Sequence, residues 1–330
     1  MISISFKTIF SSILVSSVLL TACSPSRPDA DQKSEVKNPT LDKLVIGYQK
    51  SSLNAITLKS DPQLLQSHFP QTQIEWKEFP AGPQLLEALS VGSVDFGSVG
   101  NTPPLFAQSG NKNLVYVAYE KSHPQSLGLL VHKDSLIQSL ADLKGKRIAL
   151  TRGSNAHDLL DKILQKAQLQ WQDIQPIWLA PADARAAFDK QTVDAWLIWE
   201  PFQSVALQSG HARVLTDATP FEQSYSFIIA NPDFLNQHPK AATQFIAASN
   251  DAAHWVVKHS DQAIKLYSNA IGIDNNIAAI VLQKRYQPAL LEPINTEVIA
   301  AQQRIADRFS AEKLIPHQID VGKFVYTIKP

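Results

Sequence analysis

Val94-Asp95-Phe96-Gly97-Ser98-Val99-Gly100-Asn101-Thr102-Pro103 and Val193-Asp194-Ala195-Trp196-Leu197-Ile198-Trp199-Glu200-Pro201 are two versions of one pattern. Each opens on Val-Asp, continues as a short strand-forming run, and ends in a polar turn closed by proline. A second pair behaves the same way: Leu44-Val45-Ile46-Gly47-Tyr48-Gln49 and Arg147-Ile148-Ala149-Leu150-Thr151-Arg152 each read as a strand leading into a polar loop. The repetition predicts two lobes built on one plan. Open α/β sheets bind ligands beyond the carboxyl ends of their strands, and both copies put polar turn residues there. Two such edges facing each other make a cleft, although any one of them alone is an ordinary turn from strand to helix.

Outward from these stretches, short β-rich runs alternate with longer helical patterns, which predicts an α/β fold with mostly parallel sheets. Strands are expected at 44–46, 72–79, 94–99, 114–118, 126–131, 147–151, 174–179, 195–199 and 226–230, with helices at 54–69 and 83–91 between the early ones. After Pro232 the pattern turns helical, with helices expected at 239–258, 260–270, 275–284 and 296–309 wrapping the first lobe. Lobe I is therefore drawn as 41–125 plus 231–330, and lobe II as 126–230.

The N-terminus carries a different signal. Lys7 precedes an apolar run from Ile9 to Leu20, long enough for the h-region of a signal peptide and too short to span a bilayer. It ends in Leu20-Thr21-Ala22-Cys23, which resembles a bacterial lipobox, and Cys23 is the single cysteine of the 330-residue chain. Residues 1–22 are expected to be a lipoprotein signal peptide, Cys23 the lipidation site, and 23–40, rich in Ser, Pro, Asp and Lys, a flexible tether. The protein is thus placed on the periplasmic side of a bacterial membrane. With 30 basic against 30 acidic residues, nothing in the composition recruits nucleic acid. A lone cysteine leaves no internal disulfide, cysteine metal site or cysteine nucleophile in the mature chain.

The helix starts suggest the chemistry of the cleft. Ala81-Gly82-Pro83, Asn101-Thr102-Pro103-Pro104 and Gly153-Ser154-Asn155 each place cap-type residues ahead of a helical run. A helix start leaves backbone N–H groups unpaired and carries about half a positive charge. Several aimed at one spot would hold a small anion.

These same stretches, with Glu78 to Glu87, Ala141-Asp142-Leu143-Lys144-Gly145-Lys146, Pro181 to Phe188 and Ala300 to Asp307, resemble the aliphatic-sulfonate-binding proteins, substrate-binding components of ABC importers of the sulfonate, taurine and nitrate type. The likeness runs from about residue 41 to 327. It implies a type II periplasmic binding fold, with two doubly wound lobes joined by a two-segment hinge that close on the ligand. It implies a monomer without cofactor, delivering an alkanesulfonate to ABC permease and ATPase subunits for sulfur uptake. Carried over by motif, the ligand-binding residues are Gln49, Gly82, Pro83, Asn101 and Thr102 of one lobe, and Arg152, Gly153, Ser154, Asn155, Trp199 and Glu200 of the other. Arg152 would bring a formal positive charge, and Trp199 an apolar wall along the alkyl part. Glu200 has two readings: it faces a cationic ligand group, or it binds Arg185 and never meets the ligand. Arg185 is expected to tie the hinge through Asp183 or Glu200. An acidic residue is commoner in the family where Asn101 stands, which implies a shifted substrate preference. Alkanesulfonate, taurine, a sulfate ester and nitrate all stay open.

The rival class is an enzyme on the same fold. The chain has no Gly-x-Ser-x-Gly elbow and no His-Glu-x-x-His motif. Its nine histidines are scattered, and the nearest pair, His254 and His259, does not share a helical face.

Overall fold

The computed structural model describes residues 41–328. The expected signal peptide, Cys23 and the tether lie outside the described residues. The strands are β1 (Lys43–Tyr48), β2 (Gln73–Glu78), β3 (Phe96–Gly100), β4 (Val115–Lys121), β5 (Leu127–His132), β6 (Arg147–Leu150), β7 (Gln175–Trp178), β8 (Ala195–Trp199), β9 (Ala212–Asp217), β10 (Tyr225–Ala230) and β11 (Glu292–Pro293). The helices are α1 (Leu53–Ser60), α2 (Pro62–Gln66), α3 (Gly82–Ser90), α4 (Thr102–Ser109), α5 (Asn155–Lys166), α6 (Pro181–Asp189), α7 (Phe202–Gln208), α8 (Pro232–Gln237), α9 (Ala241–Lys258), α10 (Ser260–Ile271), α11 (Asn275–Gln283) and α12 (Thr296–Ala311).

The strands form two sheets, ordered β11-β4-β10-β3-β1-β2 and β7-β6-β8-β5-β9. Parallel pairing, expected to dominate, is confined to one flank of each: β2-β1-β3 in the first and β7-β6-β8 in the second. The pairs that involve β4, β10, β11, β5 and β9 are antiparallel. The chain path explains this. β4 leaves the first sheet to become β5 of the second, and β10 brings the chain back, so strands beside the crossings run against their neighbours. Because β10 pairs with β3 and β4, the return crossing falls within 218–224, ahead of the boundary drawn at residue 230. The crossings are tied together: Ser122 N donates to Ser224 O at 2.9 Å, and Ala218 N to Pro124 O at 3.1 Å.

The duplicated Val-Asp has one structural role in both lobes. Asp95 Oδ2 accepts from Val45 N at 2.7 Å, and Asp194 Oδ2 accepts from Arg147 N at 2.7 Å. Each aspartate thus satisfies an amide of the neighbouring strand that the ladder leaves open where pairing begins. Packing follows from the strand sequences. β8, Ala-Trp-Leu-Ile-Trp, is buried along its whole length, as suits a central strand covered on both faces. Trp196, Leu197 and Phe188 form the core of that lobe with Leu160 of α5. At roughly 1.5–3 kcal/mol for each large side chain fully buried, this cluster outweighs any surface contact of the lobe. In the first lobe α3, α4 and α12 cover one face of the sheet, and α9 with α1 and α2 covers the other. The single helix expected over 54–69 is two. Pro62 cannot donate to the preceding turn, and Asp61 restarts the helix by accepting from Gln63 N. β9 is an edge strand that the alternation did not reveal, because its residues are mostly half-buried.

Candidate ligand-binding site

The carboxyl ends of β1 and β3 face those of β6 and β8 across a cavity of about 130 Å³. Of the residues expected at the ligand, Gln49, Gly82, Ser154, Asn155, Trp199 and Glu200 line it. Gln49 follows β1 and is anchored by donating to Ser98 O at 2.9 Å. Trp199 ends β8, 7% exposed, with its ring edge-on to Phe202.

Three helices start on the cavity wall. In each, the residue before the first turn makes no side-chain cap, so no cap side chain occupies the first amides of the helix. Asn54 and Ala55 in α1, Gly82 in α3 and Asn155 in α5 line the cavity, and their N–H groups donate to no acceptor among the described residues. Ser154 differs: its N–H and its hydroxyl both donate to Thr151 O, which fixes the loop. The contribution of α1 was missed because its start was placed at Asn54. Ser51-Ser52, just ahead, was the available signal.

The other expected residues lie outside the cavity wall. Pro83 is the second residue of α3 and has no N–H to give. Asn101 and Thr102 are buried and bonded: Asn101 Nδ2 donates to Asp158 Oδ2 at 2.9 Å, and its Oδ1 accepts from Thr102 Oγ1 at 2.9 Å. Their polar atoms join the lobes behind the cavity. Arg152 is exposed, its guanidinium 5.9 Å from the Trp178 ring. Gly153 has φ +72°, and a Cβ there would meet the Phe106 ring of the other lobe at 3.2 Å.

Glu200 is buried and bonded. Its Oε1 accepts from Lys284 Nζ at 2.6 Å and from Ser204 Oγ at 2.8 Å, and its Oε2 accepts from Ser204 N at 3.1 Å. Arg185 reaches neither Glu200 nor Asp183; it pairs with Asp189 one turn along α6, at 2.6 Å. An i, i+4 partner was the simpler expectation for an arginine on a helix surface. Glu120, Lys284 and Arg285 also line the cavity. None carries a local signal, since Lys284 and Arg285 follow α11, far along the chain from the strand ends they meet.

Away from the cavity, a second cross-lobe contact joins α5 to α12. Arg308 Nε donates to Asp161 Oδ2 at 2.6 Å, Arg308 also bonds Asp158, and Lys162 Nζ lies 2.9 Å from Asp158 Oδ2. Burial and the neighbouring Glu312 carboxylate push Asp161 up to about 7. His157 sits among the rings of Phe106, Phe309, Trp171 and Trp178. Burial, helped by the charge of Arg152, pushes it down to about 4. Among the described residues no cluster of three or more His, Cys, Asp or Glu could hold a metal ion.

Two lobes on one plan, crossed twice by the chain and facing each other over a cavity ringed by open helix amides, define a two-lobed solute-binding protein. Residues 75–263 match the family described as NMT1/THI5 like, and the chain belongs to that family. It is similar to the periplasmic aliphatic sulphonate binding protein of Escherichia coli, at 42% identity over 86% of this chain and 97% of that one, with a TM-score of 0.79. It is equally similar to the alkanesulfonate-binding protein of Xanthomonas axonopodis pv. citri, whose structure holds MOPS: 39% identity, 86% and 98% coverage, TM-score 0.83. The nitrate-binding protein of Synechocystis PCC 6803, at 12% identity, TM-score 0.69 and coverage of 86% and 84%, shares the fold alone.

Proposed function

We propose that this protein captures aliphatic sulfonates in its cleft and delivers them to the permease and ATPase of an ABC importer that supplies sulfur. The observation that carries this reading is the set of open amides around one cavity, those of Asn54, Ala55 and Gly82 from one lobe and that of Asn155 from the other. A sulfonate has three oxygens that accept hydrogen bonds and no proton to give. It therefore suits a site built of N–H donors at helix starts. Gln49 supplies a side-chain amide and Trp199 a wall for the alkyl part, at about 0.8 kcal/mol per buried methylene. Segments 122–126 and 218–224 serve as the hinge. The relatives at 39–42% identity bind sulfonates by their descriptions, which favours this ligand over nitrate.

Calorimetric titration against methanesulfonate, ethanesulfonate, hexanesulfonate, taurine, sulfate and nitrate tests the proposal. Alkanesulfonates are expected to bind tightest; a protein that takes nitrate and refuses every sulfonate would overturn it. Cys23 is proposed to hold the mature chain at the outer face of the membrane through a lipid. In that case Cys23→Ser moves the protein from the membrane fraction to the soluble one, and retention at the membrane refutes the anchor.

A further inference from the structure

The arginine expected in the site, Arg152, is turned away from the cavity, yet a different arginine lines it. Arg285 lies just beyond α11, with its side chain 15% exposed. Its Nη2 donates to the carboxylate of Glu120 at 3.1 Å, and its Nη1 to Ser51 O at 3.4 Å. Its Nε is buried and has no partner among the described residues. Buried N–H groups of a charged side chain are rarely left open, because losing their water is costly. Glu120 and Ser51 line the same cavity, and Ser51 immediately precedes the α1 start whose amides are also open.

The charges around the cavity add a second constraint. Its lining holds two carboxylates, Glu120 and Glu200, and, besides His123, three basic side chains, Lys121, Lys284 and Arg285. Lys284 is spent on Glu200 at 2.6 Å. Arg285 is shared between Glu120 and its unpartnered Nε. The two buried pairs balance, and the one surplus positive charge of the ionised lining is the exposed Lys121, which a monoanion neutralises. A dianion would leave uncompensated negative charge beside two carboxylates, in a confined space where like charges repel strongly.

We propose that Arg285 is a ligand-contacting residue of the cleft, donating to the anionic head through Nε, and that its pairing with Glu120 restricts the site to monoanions such as sulfonates, against dianions such as sulfate. This rests on the sulfonate reading for the identity of the ligand, but not for the role of Arg285. Titration of the wild type, Arg285→Gln, Arg285→Lys and Glu120→Gln with ethanesulfonate, nitrate and sulfate at neutral pH tests it, with each unliganded melting temperature as the folding control. Ethanesulfonate affinity is expected to fall roughly ten- to a hundredfold in Arg285→Gln, about 1.4 kcal/mol per tenfold. Arg285→Lys keeps the charge but loses the planar donor, and is expected to fall part of the way. Glu120→Gln is expected to narrow the preference for ethanesulfonate over sulfate by tenfold or more.

Wild-type affinity in folded Arg285 variants overturns the contact, and an unchanged sulfonate-to-sulfate ratio in Glu120→Gln overturns the charge filter. If Arg285→Gln does not fold, Arg285→Lys and Glu120→Gln still decide. A wild type that binds nitrate but no sulfonate defeats the sulfonate reading while leaving Arg285 to be judged on nitrate. A wild type that binds none of the three anions refutes both.

Discussion

A Cβ added to Gly100 would stand 3.0 Å from Cβ of Asn155, so the end of β3 in one lobe and the first residue of α5 in the other meet at a spacing that a larger residue could take only by pushing Asn155 back. Gly100→Ala therefore presses the lobes apart at this contact. Overpacking of this kind costs about 1–3 kcal/mol, and here the cost falls on the closed state. Ligand affinity should drop roughly ten- to a hundredfold while the thermal stability of the unliganded protein changes little. Calorimetry and melting curves on the same variant check this; a large stability loss with unchanged affinity would place the contact in a rigid core instead of a closing interface.

The bond from Arg308 to Asp161 joins the lobes by buried charge. The Asp158 and Asp161 side chains are 4% and 1% exposed, and Arg308 bonds both. Replacing Arg308 with Met takes away the cation that Asp158 and Asp161 share, and breaking a buried pair in this way costs about 3–5 kcal/mol. For a chain of this size that lowers the melting temperature by on the order of 10 °C. Arg185→Ala is the contrast: its partner Asp189 is half exposed, and such surface pairs are worth about 1 kcal/mol or less. Equal effects from the two substitutions would contradict the ranking by burial.

His157 and Asp161 make opposite contributions to the pH dependence of stability. His157 titrates near 4 when folded and near 6.5 when unfolded. Between those values the unfolded chain binds a proton that the folded one refuses. Its contribution is full above about 6.5 and is lost as pH falls toward 4, by up to roughly 3 kcal/mol. Asp161 titrates near 7 when folded, against an ordinary value of 3.8. Its contribution is therefore present below about 4 and lost as pH rises through 7. Urea unfolding between pH 4 and 7.5 separates them. His157→Asn should become less stable relative to wild type as pH rises across that window, and Asp161→Asn more stable. Parallel profiles for all three proteins would show that neither group governs the slope.

Much of this was legible in the sequence because it was local or repeated. Val94-Asp95 and Val193-Asp194 look alike since Asp95 and Asp194 hold the same amide in each lobe. The α3 and α5 starts were visible from Gly82-Pro83 and Gly153-Ser154-Asn155, because cap chemistry is a short-range property. The Asp61-Pro62 break was also written in the chain, in a residue that cannot donate to the preceding turn. What could not be read was long-range. Nothing near Arg285 says that α11 carries it to the end of β4 to meet Glu120, and nothing near Arg152 says that it stacks outward on Trp178. The same holds for Glu200, whose partner Lys284 lies 84 residues on. The direction of β10 was hidden for a related reason, since a strand's own residues do not name its neighbours.

Asn155 allows the open amide to be tested apart from the side chain. It is the first residue of α5, and Ser154 before it is extended, with φ −90° and ψ 172°. Proline is tolerated at the first helical position, and an extended preceding residue is the one it favours. Asn155→Pro should therefore keep the helix and delete one N–H from the cavity, whereas Asn155→Ala deletes only the carboxamide. A hydrogen bond to a charged group is worth about 1.5–3 kcal/mol, so the proline variant should bind ethanesulfonate roughly ten- to a hundredfold more weakly than the alanine variant. Circular dichroism confirms that α5 survives, and titration reads the difference. Equal affinity in two folded variants would mean that the α5 start does not hold the anion, and the wall of open amides would lose its meaning as a binding site.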